Sequence, residues 1–266
     1  VYRNILSNAD KNHIINGVTG SGKTAIYVQL GNKIVQENKI LLVIVAEIGL
    51  ISQMKSKMLE YFPGRVSVIH SDMALGLRQL EWSKVYNHEV DVVIGTRSAI
   101  MVPFDNIGMV IIDEMHDSAF EVMSGSYFNV LECAEYRCKK QKIPLVMGSA
   151  TPKVSYWYRG KKGNFQIHQL SSRYGNASLA EVRVVDMRKE LLVGNTSIFS
   201  RELEKELGNI LTLKEQALLF LNRRGFSTFI SCRSCGHVMK CPDCEIPLTF
   251  HKSRNRLICH TCGYTE

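Results

Sequence analysis

Gly17 to Thr24 reads GVTGSGKT, with a short apolar run at His13 to Ile15 before it and a helix-like stretch from Lys23 to Glu37 after it. Gly17, Gly22, Lys23 and Thr24 fall at phosphate-loop spacing in a strand, loop, helix context. Gly17, Val18, Thr19, Gly20, Ser21 and Gly22 then supply a backbone whose N–H groups turn inward around phosphate oxygens. The helix N-terminus favours their negative charge, Lys23 reaches the outer phosphates, and the Thr24 hydroxyl ligates magnesium. The competing reading, a flexible Gly/Ser loop, is weakened by the flanking elements.

Outward from this loop the sequence alternates. ILLVIVA (Ile40 to Ala46) is a continuous apolar run of the kind that buried parallel strands show, and shorter strands read at Val66 to His70, Asp91 to Thr96, Met109 to Asp113 and Pro144 to Ser149. Helix-like stretches separate them at Leu50 to Tyr61, Met73 to Tyr86 and Val130 to Lys140. Strands alternating with helices predict an α/β fold: a doubly wound parallel sheet with right-handed crossovers, of the P-loop NTPase type, with ligands at the strands' carboxyl ends.

Two further motifs stand at those ends. MVIIDEMH (Met109 to His116) delivers Asp113, Glu114 and His116 from an apolar strand. Asp113 is expected to hold the magnesium and Glu114 to orient and deprotonate the attacking water. GSATP (Gly148 to Pro152), with Ser149 and Thr151, suits a switch between the phosphate site and a bound track. GTRSAI (Gly95 to Ile100) presents Arg97 as a contact for a phosphate backbone. Between Asp117 and Asn129, Phe120, Tyr127 and Phe128 surround a Ser-Gly-Ser turn; they either stack on bases or anchor the loop to the core.

Composition bounds the rest. With 266 residues and 45% hydrophobic content the chain buries a proper core. No apolar run reaches the ~20 residues that span a bilayer, and no signal region opens the sequence, so a cytoplasmic location and no membrane partner are expected. A net charge of +8 suits a polyanionic partner. Six of the eight cysteines stand in the last 35 residues as CxxC pairs, which in a cytosolic chain argues for metal. Cys241, Cys244, Cys259 and Cys262 form two knuckles that converge tetrahedrally on one structural Zn2+. Cys232 and Cys235 are a third knuckle, half of a second site, and His237, His251 and His260 are expected to be spectators.

The expected organisation is a first lobe at 1–175, a connection at 176–198 with Gly194 and Asn195 among its turn formers, the start of a second lobe at 199–231, and a cysteine-rich insertion at 232–266. In the second lobe Ser200 caps a helix over Glu204 to Leu213, and a strand at Gln216 to Leu221 leads into NRRGF.

These motifs together resemble the PriA family, the replication-restart DNA helicases of superfamily 2. GVTGSGKT, AEIGLISQ (Ala46 to Gln53), IHSDMALGLR (Ile69 to Arg78), GTRSAI, IIDEMHDSAF, GSATP and LFLNRRGF are followed by zinc knuckles, and that last succession is particular to the family. The resemblance implies a 3′-to-5′ DNA helicase fuelled by ATP and Mg2+, with two Zn2+ in the complete protein and one fully ligated here. Implied partners are forked and single-stranded DNA, single-strand-binding protein, other primosome proteins and the replicative helicase loader. Lys23, Asp113 and Glu114 become catalytic and Ser149 to Thr151 the coupling motif. On this reading the sequence is a fragment, expected to bind ATP but to be weakly active alone. Two alternatives stay open: another superfamily 2 translocase in repair or restriction, and a non-enzymatic zinc and nucleic-acid-binding module.

Overall fold

The computed structural model describes residues 1–9, 11–122, 127–173, 180–220, 232, 235, 237–251 and 255–266. It divides into two compact units, Val1–Leu179 and Ala180–Glu266.

The first unit is wound around one parallel sheet. After α1 (Tyr2–Ser7), β1 (Asn12–Gly17) leads through the phosphate loop into α2 (Lys23–Gln36). β2 (Ile40–Ile44), α3 (Ile48–Leu59), β3 (Val66–Ile69), α4 (Leu75–Tyr86) and β4 (Val92–Gly95) follow, with a short 3-10 turn at Arg97–Met101. β5 (Ile107–Ile112) carries the acidic motif; a small hairpin, β6 (Glu121–Val122) with β7 (Phe128–Asn129), leads to α5 (Val130–Gln141), β8 (Leu145–Ser149), α6 (Val154–Lys161) and β9 (Phe165–Leu170). The seven-stranded sheet has the order β3-β4-β2-β5-β8-β1-β9, with every pairing parallel.

Burial explains why these runs are strands. In β2, β4, β5 and β8 every residue is buried, because helices cover both faces. Alternate residues go to opposite layers. Leu42, Ile44, Val110, Ile112 and Met147 pack with α5 and α6, through Leu131, Ala134 and Tyr156. Leu41, Val43, Met109, Ile111 and Val146 pack with α1, α2 and α3, through Ile5, Leu30, Ile34 and Met54. Capping sets the boundaries: the Asn129 side chain accepts from the amides of Leu131 and Glu132, and α5 ends at Lys142 in a left-handed conformation.

The doubly wound sheet is therefore as the alternation predicts, with β9 added. FQIHQL escapes pattern reading because this edge strand interleaves Gln166, His168 and Gln169 with its apolar residues.

The second unit contains α7 (Met187–Leu192), α8 (Arg201–Thr212) and an antiparallel pair, β10 (Thr249–His251) with β11 (Arg256–Ile258). Ser200 caps α8 by accepting from the Leu203 amide. The strand expected from Gln216 is not formed over its described part: Gln216 to Phe220 has no ladder partner among the described residues, and Leu218 and Phe220 are exposed, so nothing there satisfies a strand's backbone. Leu221 and NRRGF, including Arg223 and Arg224, lie outside the described residues, as do Ser124 to Ser126 and the turn formers Gly175 and Asn176.

Candidate nucleotide site and zinc centre

Strand order brings the motifs together. β5, β8 and β1 are neighbours, so the acidic motif, GSATP and the phosphate loop leave the sheet side by side at its carboxyl edge. AEIG, GTRSAI and the stretch after Ile69 leave the same edge from β2, β4 and β3.

In the loop, Gly20 (φ 77°) and Gly22 (φ 88°) take left-handed conformations that a side chain would strain. A Cβ on Gly17 would stand 2.4 Å from the Ser21 hydroxyl oxygen. Lys23, on the first turn of α2, is only 8% exposed. Its Nζ donates to the Gly17 carbonyl at 2.9 Å and lies 3.3 Å from Glu114 Oε1. The Ser21 hydroxyl oxygen is buried and has no hydrogen-bond partner among the described residues. A buried ammonium and an orphaned hydroxyl in a glycine cradle are the donor set a polyphosphate satisfies, so the residues fit the nucleotide. Thr24 is half-buried beside them.

Asp113 and Glu114 sit where β5 ends. The Asp113 amide donates to the Ile44 carbonyl and the Met115 amide to Gly148, which pins both flanks, while Glu114 adopts φ 50° between them. Burial pushes the Asp113 carboxyl up, and the Tyr27 hydroxyl, donating to its Oδ1 at 2.8 Å, draws it down. His116 Nδ1 is 2.8 Å from the Ser149 hydroxyl and 3.4 Å from Glu114 Oε2. Ser149 Oγ in turn accepts from the Thr151 amide at 3.0 Å. Lys23, Glu114, His116, Ser149 and Thr151 thus form a continuous polar path. Tyr27, which bonds Asp113, is the side chain at this edge that motif reading missed; its place four residues after Lys23, on the same face of α2, is the signal that was available.

The residues expected to touch DNA separate. Arg97 is exposed at the end of β4, and Tyr127 is 69% exposed. Phe128 is half-buried in the β6–β7 hairpin and packs against the core. Phe120 corrects the expectation of stacking: it is fully buried in the core layer with Met115 and Val130, so it anchors the loop.

In the second unit, one sulfur from each of Cys241, Cys244, Cys259 and Cys262 lies within 4.8 Å of all the others. Two hairpin-like knuckles make this possible. The Glu245 amide turns back to Cys241 and the Gly263 amide to Cys259, while Leu248 and Leu257 pack with the buried Cys241 and Cys259. Backbone N–H groups of Cys262 and Thr261 lower the Cys259 thiol to about 7, and the Cys262 thiol raises its neighbour Cys244 to about 12. Four soft sulfurs converging in this way fit one Zn2+ in a closed tetrahedral site. Cys232 and Cys235 are exposed and lie outside this cluster. His251 and His260 stand apart from it as well, Nε2 to Nε2 at 3.0 Å.

Residues 1–156 match the DEAD/DEAH box helicase family, and residues 241–266 match the PriA DNA helicase Cys-rich region domain. The replication restart protein PriA of Bacillus subtilis is 42% identical over 98% of this chain and 32% of its own length. That of Synechocystis is 39% identical over 95% of the chain and 32% of its own length. Among solved structures, RecG bound to a three-way DNA junction is similar with a TM-score of 0.49 and 23% identity, covering 69% of this chain and 25% of that one. The chain spans about a third of the length of the curated relatives it matches. It belongs to the DEAD/DEAH box helicase family and, within that family, resembles the PriA replication restart proteins.

Proposed function

We propose that this chain is the ATP-binding part of a 3′-to-5′ DNA helicase that restarts replication at stalled forks. The observation that carries the reading is the meeting of Lys23, Asp113, Glu114, His116 and Ser149 at one sheet edge, in a chain that also assembles a PriA-type cysteine cluster. Lys23 and the loop amides hold the ATP phosphates, and Asp113 with Thr24 holds Mg2+, which supplies positive charge at the phosphates. Glu114 orients the attacking water. Ser149 and Thr151 couple the phosphate site, through His116, to a bound strand. Arg97 and Tyr127, both exposed, contact that strand. Transition-state charge from an arginine is worth about 10³ to 10⁵ in rate in such enzymes.

Forked and single-stranded DNA, single-strand-binding protein, primosome proteins and the replicative helicase loader are the proposed partners, in the cytoplasm. No helix among the described residues is long and apolar enough to cross a membrane. The Cys241 cluster holds one Zn2+ as a structural centre; Cys232 and Cys235 contribute to a second in the complete protein. The test is Glu114→Gln in the longer protein: ATP binding is expected to persist while DNA-stimulated hydrolysis falls by at least about 10². Undiminished hydrolysis would overturn the role given to Glu114.

A further inference from the structure

Tyr27 is fully buried, yet it keeps a hydroxyl. A phenol placed only to fill a core has no need of one, because a buried hydroxyl costs free energy unless it is paired. Here it is paired with the carboxylate that ends β5, Oδ1 of Asp113, at 2.8 Å. The space it occupies is kept open by a third motif. A Cβ on Gly148 would stand 1.8 Å from the Tyr27 oxygen and 3.3 Å from Asp113 Oδ1. One hydroxyl thus joins the phosphate-loop helix to the acidic motif, in space that the glycine of GSATP leaves open.

We propose that Tyr27 is a positioning residue for magnesium: it holds one oxygen of Asp113 so that the other is presented to the metal, and ties that presentation to the helix bearing Lys23 and Thr24. The inference rests on the nucleotide reading given above and deepens it. Lys23 and the loop amides address the phosphates directly. Tyr27 acts only through Asp113, so its removal affects the metal-dependent part of binding and leaves the metal-independent part alone. A carboxylate released from this bond rotates among orientations of which few suit the metal, and a charge-assisted bond of this kind is strong enough to matter.

The measurement is equilibrium binding of a fluorescent ATP analogue to this chain, without divalent metal and then across a Mg2+ titration. For Tyr27→Phe, metal-free affinity is expected to stay within about twofold of wild type, while the Mg2+ concentration giving half of the metal-dependent gain rises roughly tenfold. A midpoint unchanged in Tyr27→Phe would show that Tyr27 serves packing alone and would overturn the proposal. Lys23→Ala separates the two readings, since it is expected to lose affinity with and without metal. A wild-type chain that binds no nucleotide would overturn the phosphate-loop reading and this inference with it.

Discussion

Phe120 and Tyr127 stand in the same sequence stretch and have opposite fates. Both are aromatic, and stacking was a reasonable expectation for each. Phe120 is fully buried beside Met115, while Tyr127 keeps most of its surface. Phe120→Ala should therefore destabilise the first unit by about 3–5 kcal/mol, read from denaturant unfolding, because it empties a core position. Tyr127→Ala should leave stability nearly unchanged and lower DNA-stimulated ATPase more than basal ATPase; equal losses in both would contradict a DNA contact at this side chain. Residue identity did not separate these two side chains, since burial depends on what α5 and β5 bring against the loop. For Lys23, Asp113 and Glu114 the motifs indicated position: phosphate-loop spacing sets the first turn of α2 and a strand end sets the two carboxylates, and Lys23 Nζ lies 3.3 Å from Glu114 Oε1.

Among the elements, the central strands were legible because a strand covered on both faces is apolar throughout, as in β2. β9 was not, because it lies at the sheet edge and carries His168. That histidine packs against His13 of β1 with a ring-nitrogen separation of 3.0 Å, and burial lowers its pKa. Above about pH 6.5 the imidazole is neutral in the folded and unfolded chain, so it contributes no pH dependence there. As pH falls below about 6.5 the unfolded chain takes up the proton first, and stability declines until the lower folded pKa is passed. The thermal midpoint should therefore drop as pH falls below about 6.5, and His168→Gln should flatten that drop; an identical slope in the variant would place the sensitivity elsewhere. Over its described part, Gln216 to Phe220, the expected strand is not formed for a related reason: its apolar residues read as a strand, but a strand needs a neighbour to pair with, and none stands beside it among the described residues.

Over the whole molecule, two chemistries lie in two compact units, and each was readable from spacing because phosphate loops and zinc knuckles fix donors a few residues apart. Zinc analysis of the purified chain should give about one ion, lost in Cys259→Ser; two ions per chain would mean that the knuckles are paired otherwise, with Cys232 and Cys235 completed by other ligands of this chain. What spacing did not convey was the order of β5, β8 and β1, which sets the phosphate loop beside Asp113 and Glu114. The most direct test of that convergence is equilibrium binding of ATP with Mg2+ to the wild-type chain and to Lys23→Ala. Saturable binding by the wild type and a loss of about tenfold or more in the variant are expected, since the ammonium is the buried cation of the site. Equal affinity in the two would contradict the assignment of this sheet edge as the nucleotide site.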